Sequence, residues 1–446
     1  MKKKFIYLIA LGFVLTSCGK LFDVSPTASI SSTTAISDKS GVVHALAGTY
    51  NSLQAVGLYG RNFVIVSDLL ADNLTWTGTS QDYGQIESKP IPADNSIVDG
   101  FWAASYDGIN RANNIINVIP SLGDLSENES NQYMGEALYL RALLYYNLTV
   151  HFGGVPLKIL PTLDLNSIDA PRNSQSEVLT QVITDLEAAK TKLSVNKVAG
   201  RANSYSASAL LAKAYLTKYH LDNDPLNVQH AIGEASHVIS EGGYSLEPAF
   251  GGLYSTATSS TESVFEIVYD LQNFNRLAQY YYTRNLLGRY EVAPTSGFIQ
   301  SFEAGDQRLA ASVGYDDKNL PYCIKYNDVS GGTDRVYVSR LADVILVRAE
   351  ALVYSGGDIS LIQSDINLIR NRAGLANTAA STLEDLKMAI ENERRHEFPF
   401  EGHRWIDLVR TGRATAVLGI DAKYTLLPIP LSEIQTNKEM KQNPGY

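Results

Sequence analysis

Cysteine is almost absent from this chain: Cys18 and Cys323 are the only two in 446 residues. That excludes a fold stapled by several disulfides and a zinc site built on cysteine. Catalytic signatures are missing as well, since there is no G-x-S-x-G elbow, no G-x-x-x-x-G-K-[ST] phosphate loop and no H-E-x-x-H pair. The histidine pairs His230/His237 and His396/His403 stand two helical turns apart, about 10 Å along an axis, too far to share one ion unaided. Asp316 and Asp317 are adjacent and point apart, which argues against a glycosidase pair. No cofactor and no metal is therefore expected. Positive charge is in deficit, with 37 Lys and Arg against 47 Asp and Glu, a net −10 that argues against nucleic acid or an anionic membrane surface as partner.

What the chain does have begins with an address. Lys2, Lys3 and Lys4 precede an apolar run over residues 5–15, too short to span a bilayer, and then Leu15-Thr16-Ser17-Cys18. This order resembles a bacterial lipoprotein signal. Residues 1–17 are expected to be removed, and Cys18 to carry the lipid that anchors the chain to a membrane outside the cytoplasm; several acyl chains hold stably where one holds marginally. Residues 18–40, rich in Ser, Thr and Ala with Pro26, read as a flexible tether.

Helical periodicity dominates the remainder. Apolar residues recur at three and four over residues 41–56, 101–119, 134–152, 175–193, 204–220 and 228–239. They recur again over 341–352 and 359–372, and over a helix ending near His396. Ser174-x-x-Glu177, Ser381-x-x-Glu384 and Ser432-x-x-Gln435 read as helix-opening caps. Helices joined by short Gly-rich turns predict a mainly α protein of stacked helix pairs, with degenerate repeats rather than a strict 34-residue period. Between about 243 and 340 the period fades into loops and short strands. The dense block over residues 391–410 interleaves Arg with Asp and Glu among Phe, Trp and Leu, and reads as buried ion pairs locking helices in register.

Several of these stretches resemble one family. They are Arg141-Ala-Leu-Leu-Tyr-Tyr-Asn-Leu-Thr-Val-His-Phe-Gly-Gly-Val-Pro-Leu157, Ile366-Asn-Leu-Ile-Arg-Asn-Arg-Ala-Gly-Leu375, Glu401-Gly-His-Arg-Trp-Ile-Asp-Leu-Val-Arg410, Leu427-Pro-Ile-Pro430 and Gln442-Asn-Pro-Gly-Tyr446, with Leu21-Phe-Asp-Val-Ser-Pro26 after the cysteine. In order and nearly end to end they look like the RagB/SusD family of outer-membrane nutrient-binding lipoproteins of Bacteroidetes. The resemblance implies a tetratricopeptide-like superhelical scaffold over residues 41–446 as a single domain, with variable ligand-binding loops at about 68–100 and 251–340. It also implies a SusC-like TonB-dependent outer-membrane transporter as partner, and binding of an oligosaccharide without turnover. A peptide or another nutrient on the same fold is the rival cargo. Two rivals of a different class are a surface-anchored glycan hydrolase and a lipoprotein that closes the transporter without binding cargo.

A sugar presents C–H faces to aromatic rings and hydroxyls to short polar side chains. Two loop segments offer both: Asp72, Asn73, Trp76, Asp82 and Tyr83 in the first, and Tyr280, Tyr281, Tyr282, Arg284, Arg289 and Tyr290 in the second. Trp76 is the foremost candidate. If residues 280–282 are extended, Tyr280 and Tyr282 share one face and Tyr281 takes the other.

Overall fold

The computed structural model describes residues 36–162, 169–254 and 258–446. The leader, Cys18, the run over residues 21–26 and most of the tether lie outside them.

The first helix, α1 (Lys39–Leu53), starts where the Asp38 carboxylate accepts the Gly41 amide at 2.8 Å, so the expected tether ends two residues earlier than position 40. There follow α2 (Asn62–Leu69), β1 (Leu74–Trp76), α3 (Gln81–Ser88), α4 (Ser96–Val118) and α5 (Glu127–Phe152). The reciprocal cap of Ser174 and Glu177 opens α6 (Gln175–Lys192) as expected. Then come α7 (Ser204–Asp222) and α8 (Pro225–Glu241), which begins on a proline that has no first-turn amide to lose.

The middle region holds β2 (Ser263–Ile267), α9 (Leu277–Tyr281), β3 (Val292–Pro294), α10 (Ser296–Gln300), α11 (Gln307–Ser312), β4 (Val313–Tyr315), β5 (Pro321–Cys323) and β6 (Val336–Arg340). The chain closes with α12 (Leu341–Tyr354), α13 (Ile359–Arg372), α14 (Leu383–Glu397), α15 (Arg404–Arg410), α16 (Ala414–Leu418) and α17 (Leu431–Thr436).

Two caps differ from expectation. The side chain capping α14 is Thr382, which accepts from the Asp385 amide, one residue beyond the expected Ser381. At α17 the cap position is Pro430, and the Ser432 hydroxyl bonds Asp99 of α4 instead. His396 and His403 fall on α14 and on the residue before α15, so they share no helix face.

The helices stack in sequence: α4 on α5, α5 on α6, α6 on α7, α7 on α8, α8 on α12, and α12 on α13 and α14. From Gly135 to Phe152 every residue of α5 is buried, which places it at the centre of the stack, with its polar side chains paired to neighbouring elements. Within it Arg141 grips Asp185 of α6 with two bonds of 2.8 and 2.7 Å and donates to Asn113 of α4, fixing three helices in register. Strands are brief and pair antiparallel as β1–β3, β2–β6 and β4–β5. Among the described residues no helix is long and apolar enough to cross a membrane.

The charged block lies inside the protein, as its pattern predicted. Arg340 at the end of β6 donates to Glu262 at 2.7 Å, to Glu401 at 2.9 Å and to Glu397. Glu397 also meets Arg372 of α13 and Arg308 of α11, and Glu401 takes Lys325 at 2.6 Å. One turn away, Arg394 binds Asp407 at 2.7 Å and Asp343 at 2.9 Å, while Arg410 clasps Glu350 and Asp407. Burial alone would raise the Glu401 carboxyl, but Arg340 and Lys325 hold it down at about 2.

Truncating one partner of such a lattice strands the others in low dielectric. Arg340→Ala is expected to cost about 3–5 kcal/mol in urea unfolding, and a loss below about 1 kcal/mol would show that the lattice does not hold the core. The imidazoles add a pH dependence. Burial pushes His151 down to about 4 and His396 and His403 down to about 3. The unfolded chain therefore binds more protons below the ordinary histidine value near 6.5, and their contribution to stability is lost as pH falls from there toward 3. Asp68, raised to about 7 by burial, acts in the opposite sense but is one group against three. The thermal midpoint should fall between pH 7 and 5; a flat or rising midpoint would contradict this.

Candidate functional site

The two expected loops meet. Strands β1 and β3 pair with Leu74 opposite Pro294, Thr75 opposite Ala293 and Trp76 opposite Val292. Beyond the strands, the Thr77 hydroxyl donates to the Tyr290 carbonyl at 2.9 Å and the Thr77 amide to the Glu291 carbonyl at 3.0 Å. The buried Glu291 carboxylate then accepts the amides of Thr79 and Ser80, each at 2.9 Å, so one side chain shapes the turn after Trp76. Glu87 of α3 does the same on the other side, accepting from the Thr75 hydroxyl at 2.7 Å and the Trp76 amide at 3.1 Å.

Trp76 is partly exposed, and its ring lies against the backbone of α3 at Gly84. A Cβ on Gly84 would come within 2.8 and 2.9 Å of ring carbons Cε3 and Cζ3, closer than side chains approach. The indole Nε1 is out of solvent and has no hydrogen-bond partner. The ring therefore offers a flat surface more than a donor. Tyr282 and Tyr290 are also partly exposed. Tyr282 leans on Tyr322 of β5 with ring centroids 4.6 Å apart, and Tyr290 donates its hydroxyl to the Pro321 carbonyl at 3.1 Å, its backbone held at φ +53. Burial, with Tyr322 beside it, pushes the Tyr282 phenol up to about 12, and burial raises that of Tyr290, so both stay neutral, Tyr282 as a donor and Tyr290, its proton on Pro321, as an acceptor.

Other expected contact residues turn inward. Residues 277–281 form helix α9 rather than an extended run, so Tyr280 and Tyr282 do not alternate with Tyr281 as a strand would place them. Tyr281 is 0% exposed and stacked on Tyr326; Tyr83 is 1% exposed and donates to Asn62. Asn73 is buried between Asp68 and Arg395. These three support the site from beneath and are corrected from contact to scaffold. Asp72, partly exposed, is spent on ion pairs to Arg404 at 2.8 Å and Arg395 at 2.9 Å. Asp82 accepts from Ser96 at the start of α4. The stretch from 68 to 100, expected as one loop, contains β1 and α3 because the Asp72 pairs and Glu87 organise it.

Tyr280 keeps 8% exposure under two guanidiniums, Arg61 at 4.2 Å and Arg289 at 5.1 Å from its ring centre, with Tyr83 edge-on at 6.1 Å. Arg284 is exposed. Arg61, Arg276, Gly84, Glu291 and Tyr322 all belong to this neighbourhood and were not singled out from sequence. Only Tyr322, lying with Tyr315 and Tyr326 in the loosely matched middle, had a signal that could have raised it.

The site thus presents partly exposed rings beside hydroxyls, amides and guanidiniums. Its flanking carboxylates, Glu87 and Glu291, are committed to backbone amides and hydroxyls. Among the described residues no group of three or more His, Cys, Asp or Glu could hold a metal ion.

Comparison with known proteins places these features in context. A family model described as the SusD family matches residues 323–424, and one described as starch-binding associating with outer membrane matches residues 21–216. The SusD-like protein P2 of Formosa agariphila is 27% identical, with 100% of each chain covered. Among solved structures, a SusD superfamily protein from Bacteroides vulgatus superimposes with a TM-score of 0.83 at 23% identity, covering 92% of this chain and 99% of that one. A laminarin-binding SusD-like protein gives 0.79 at 25% identity, covering 92% and 100%.

Gly84→Ala should push the indole off α3. Trp102 and Trp405 are buried, so acrylamide quenching of tryptophan emission reports mainly on Trp76 and is expected to rise in the variant while far-ultraviolet circular dichroism is unchanged. Unaltered quenching would mean that the ring does not depend on this contact.

Proposed function

From the premise that this chain belongs to the SusD family, whose members fold as tetratricopeptide-like helix stacks, we propose that it is a non-catalytic surface lipoprotein that binds an oligosaccharide and delivers it to a SusC-like TonB-dependent transporter. In this reading residues 1–17 are a cleaved leader and Cys18 carries the lipid that holds the protein on the outer membrane. Residues 41–446 form one binding domain.

The observation that carries the reading is the convergence of Trp76 with Tyr282 and Tyr290 through the β1–β3 pairing, across more than 200 residues of chain. The pairing buries Leu74 and Val292 in the core and sets Trp76 beside the chain that leads back to Tyr290. Ring faces stack on sugar C–H faces, and the Tyr282 and Tyr290 hydroxyls, with Thr77 and Thr79 nearby, offer hydrogen bonds to sugar hydroxyls. A shallow site of two or three rings gives affinity of roughly micromolar to millimolar, about −8 to −4 kcal/mol. The laminarin-binding relative supports a glycan over a peptide as cargo.

Purified residues 19–446, titrated against a panel of oligosaccharides and peptides while new reducing ends are assayed, test this directly. Saturable glycan binding without released ends is expected. Trp76→Ala should weaken binding at least tenfold with helicity retained; undiminished binding would remove Trp76 from the site, and released reducing ends would replace binding by hydrolysis.

A further inference from the structure

Arginines in this protein almost always face an acid. Nineteen are present among the described residues, and only Arg61, Arg172, Arg276 and Arg284 take part in no ion pair. Arg172 is spent on carbonyls of Gly154, Phe152 and Lys441 and on Asn443. The other three gather around α9, at the candidate site. A fifth, Arg289, stands beside them with its nearest acid, Glu291, at 3.7 Å, beyond hydrogen-bond reach. Glu291 is itself occupied by two backbone amides.

Two of these cations share one aromatic ring and make no close ion pair. Arg61 and Arg289 lie over the same Tyr280 ring at 4.2 and 5.1 Å. Arg61 donates its Nε to Asn62 and also reaches the Tyr83 phenol, and the Arg289 side chain is 51% exposed. A guanidinium stacked on a ring is oriented by it while its N–H edge stays free, and that edge matches a carboxylate or sulfate bidentately. Glu291, 3.7 Å from the Arg289 Nε, balances part of this charge without a hydrogen bond, which leaves the outward N–H groups of Arg289 for an external anion. Tyr280 touches Tyr83, whose neighbour Gly84 seats Trp76, so one turn of α3 connects the guanidiniums to the indole.

We propose that the preferred ligand of this site is an oligosaccharide bearing an anionic substituent, a uronate carboxylate or a sulfate ester, which Arg61 and Arg289 bind across Tyr280 while Trp76 stacks on a sugar ring. The inference rests on the glycan-binding reading and narrows it. Arg276, which stacks on Phe274 and bonds Gln279, and the exposed Arg284 add positive potential at the rim. An acidic protein of net −10 repels anions at long range, but screening confines that repulsion to about 10 Å at 0.1 M salt, within which the local cations dominate.

The test titrates residues 19–446 with matched neutral, uronate-containing and sulfated oligosaccharides, at low and at 0.5 M salt. At least one acidic series should bind tenfold or more tighter than the neutral one and weaken with salt, and which series does so separates carboxylate from sulfate. Arg289→Ala should lose about tenfold for the acidic ligand, a larger factor than it loses for the neutral one; Arg289→Lys, which keeps charge but not the fork, should recover part of it. Circular dichroism checks that Arg61→Ala remains folded before its binding is read. Equal binding of neutral and acidic sugars, or an Arg289→Ala variant indistinguishable from the parent, overturns the inference and leaves the glycan reading standing. Silence toward every glycan overturns both.

Discussion

The lattice centred on Arg340, Glu397 and Glu401 is the constraint on which the remaining architecture depends. These charges are buried, and each is tolerable only because its partners are present. Arg340 ends β6, Glu262 adjoins β2, Arg372 ends α13, Glu397 ends α14 and Lys325 follows β5. Removing one of these elements would weaken the compensation of the charges it faces, so circuit closure fixes the irregular middle of the chain to the helical C-terminal part alongside the apolar core the two share. A hydrophobic core tolerates small slips; a set of bidentate bonds does not.

The same lattice reaches the candidate site. The Phe400 amide, in the turn that also places Glu401, donates to the buried Asp68 carboxylate, and Asp68 in turn accepts from Asn73. Arg395 and Arg404, one turn from the lattice arginines, hold Asp72. The chain from Asp72 to Trp76 is therefore gripped at its base by the C-terminal part, and at its tip by β3 and Glu291. Trp76 sits at the end of a short, doubly anchored lever, and loops mounted in this way can vary their tips without loosening the scaffold.

How much of this was legible in the sequence follows from the range of the interactions involved. Helices α4, α5, α6, α12 and α13 were legible because their periodicity and caps are local. The internal fate of residues 391–410 was legible because alternating Arg and acid among large apolar residues has few other uses. Local rules misplaced the cap of α14 by one residue, and left open an extended run at residues 280–282 where a five-residue helix places Tyr281 against Tyr326 and Phe400. For the candidate site, sequence proposed two loops and Trp76, and the fold joins those loops through the β1–β3 pairing. It could not separate Tyr281 from Tyr282, because one backbone step decides which ring is swallowed. Arg61 was invisible for another reason: it lies outside both loops and reaches the site only through the fold. Gly84 was invisible because an absent side chain leaves no pattern.

Composition alone would treat all the arginines alike, yet the structure divides them by what surrounds the guanidinium. Those of the C-terminal lattice are saturated by carboxylates, and their free energy is already spent on holding elements together. Those around α9 are oriented by aromatic rings, which fix direction without neutralising charge. A ring neighbour preserves a cation's capacity to bind, whereas a carboxylate neighbour consumes it. On the proposed reading the distinction lets an acidic protein bind an anion locally: net charge sums over every group, but recognition draws only on those whose hydrogen-bonding capacity the fold has left unused.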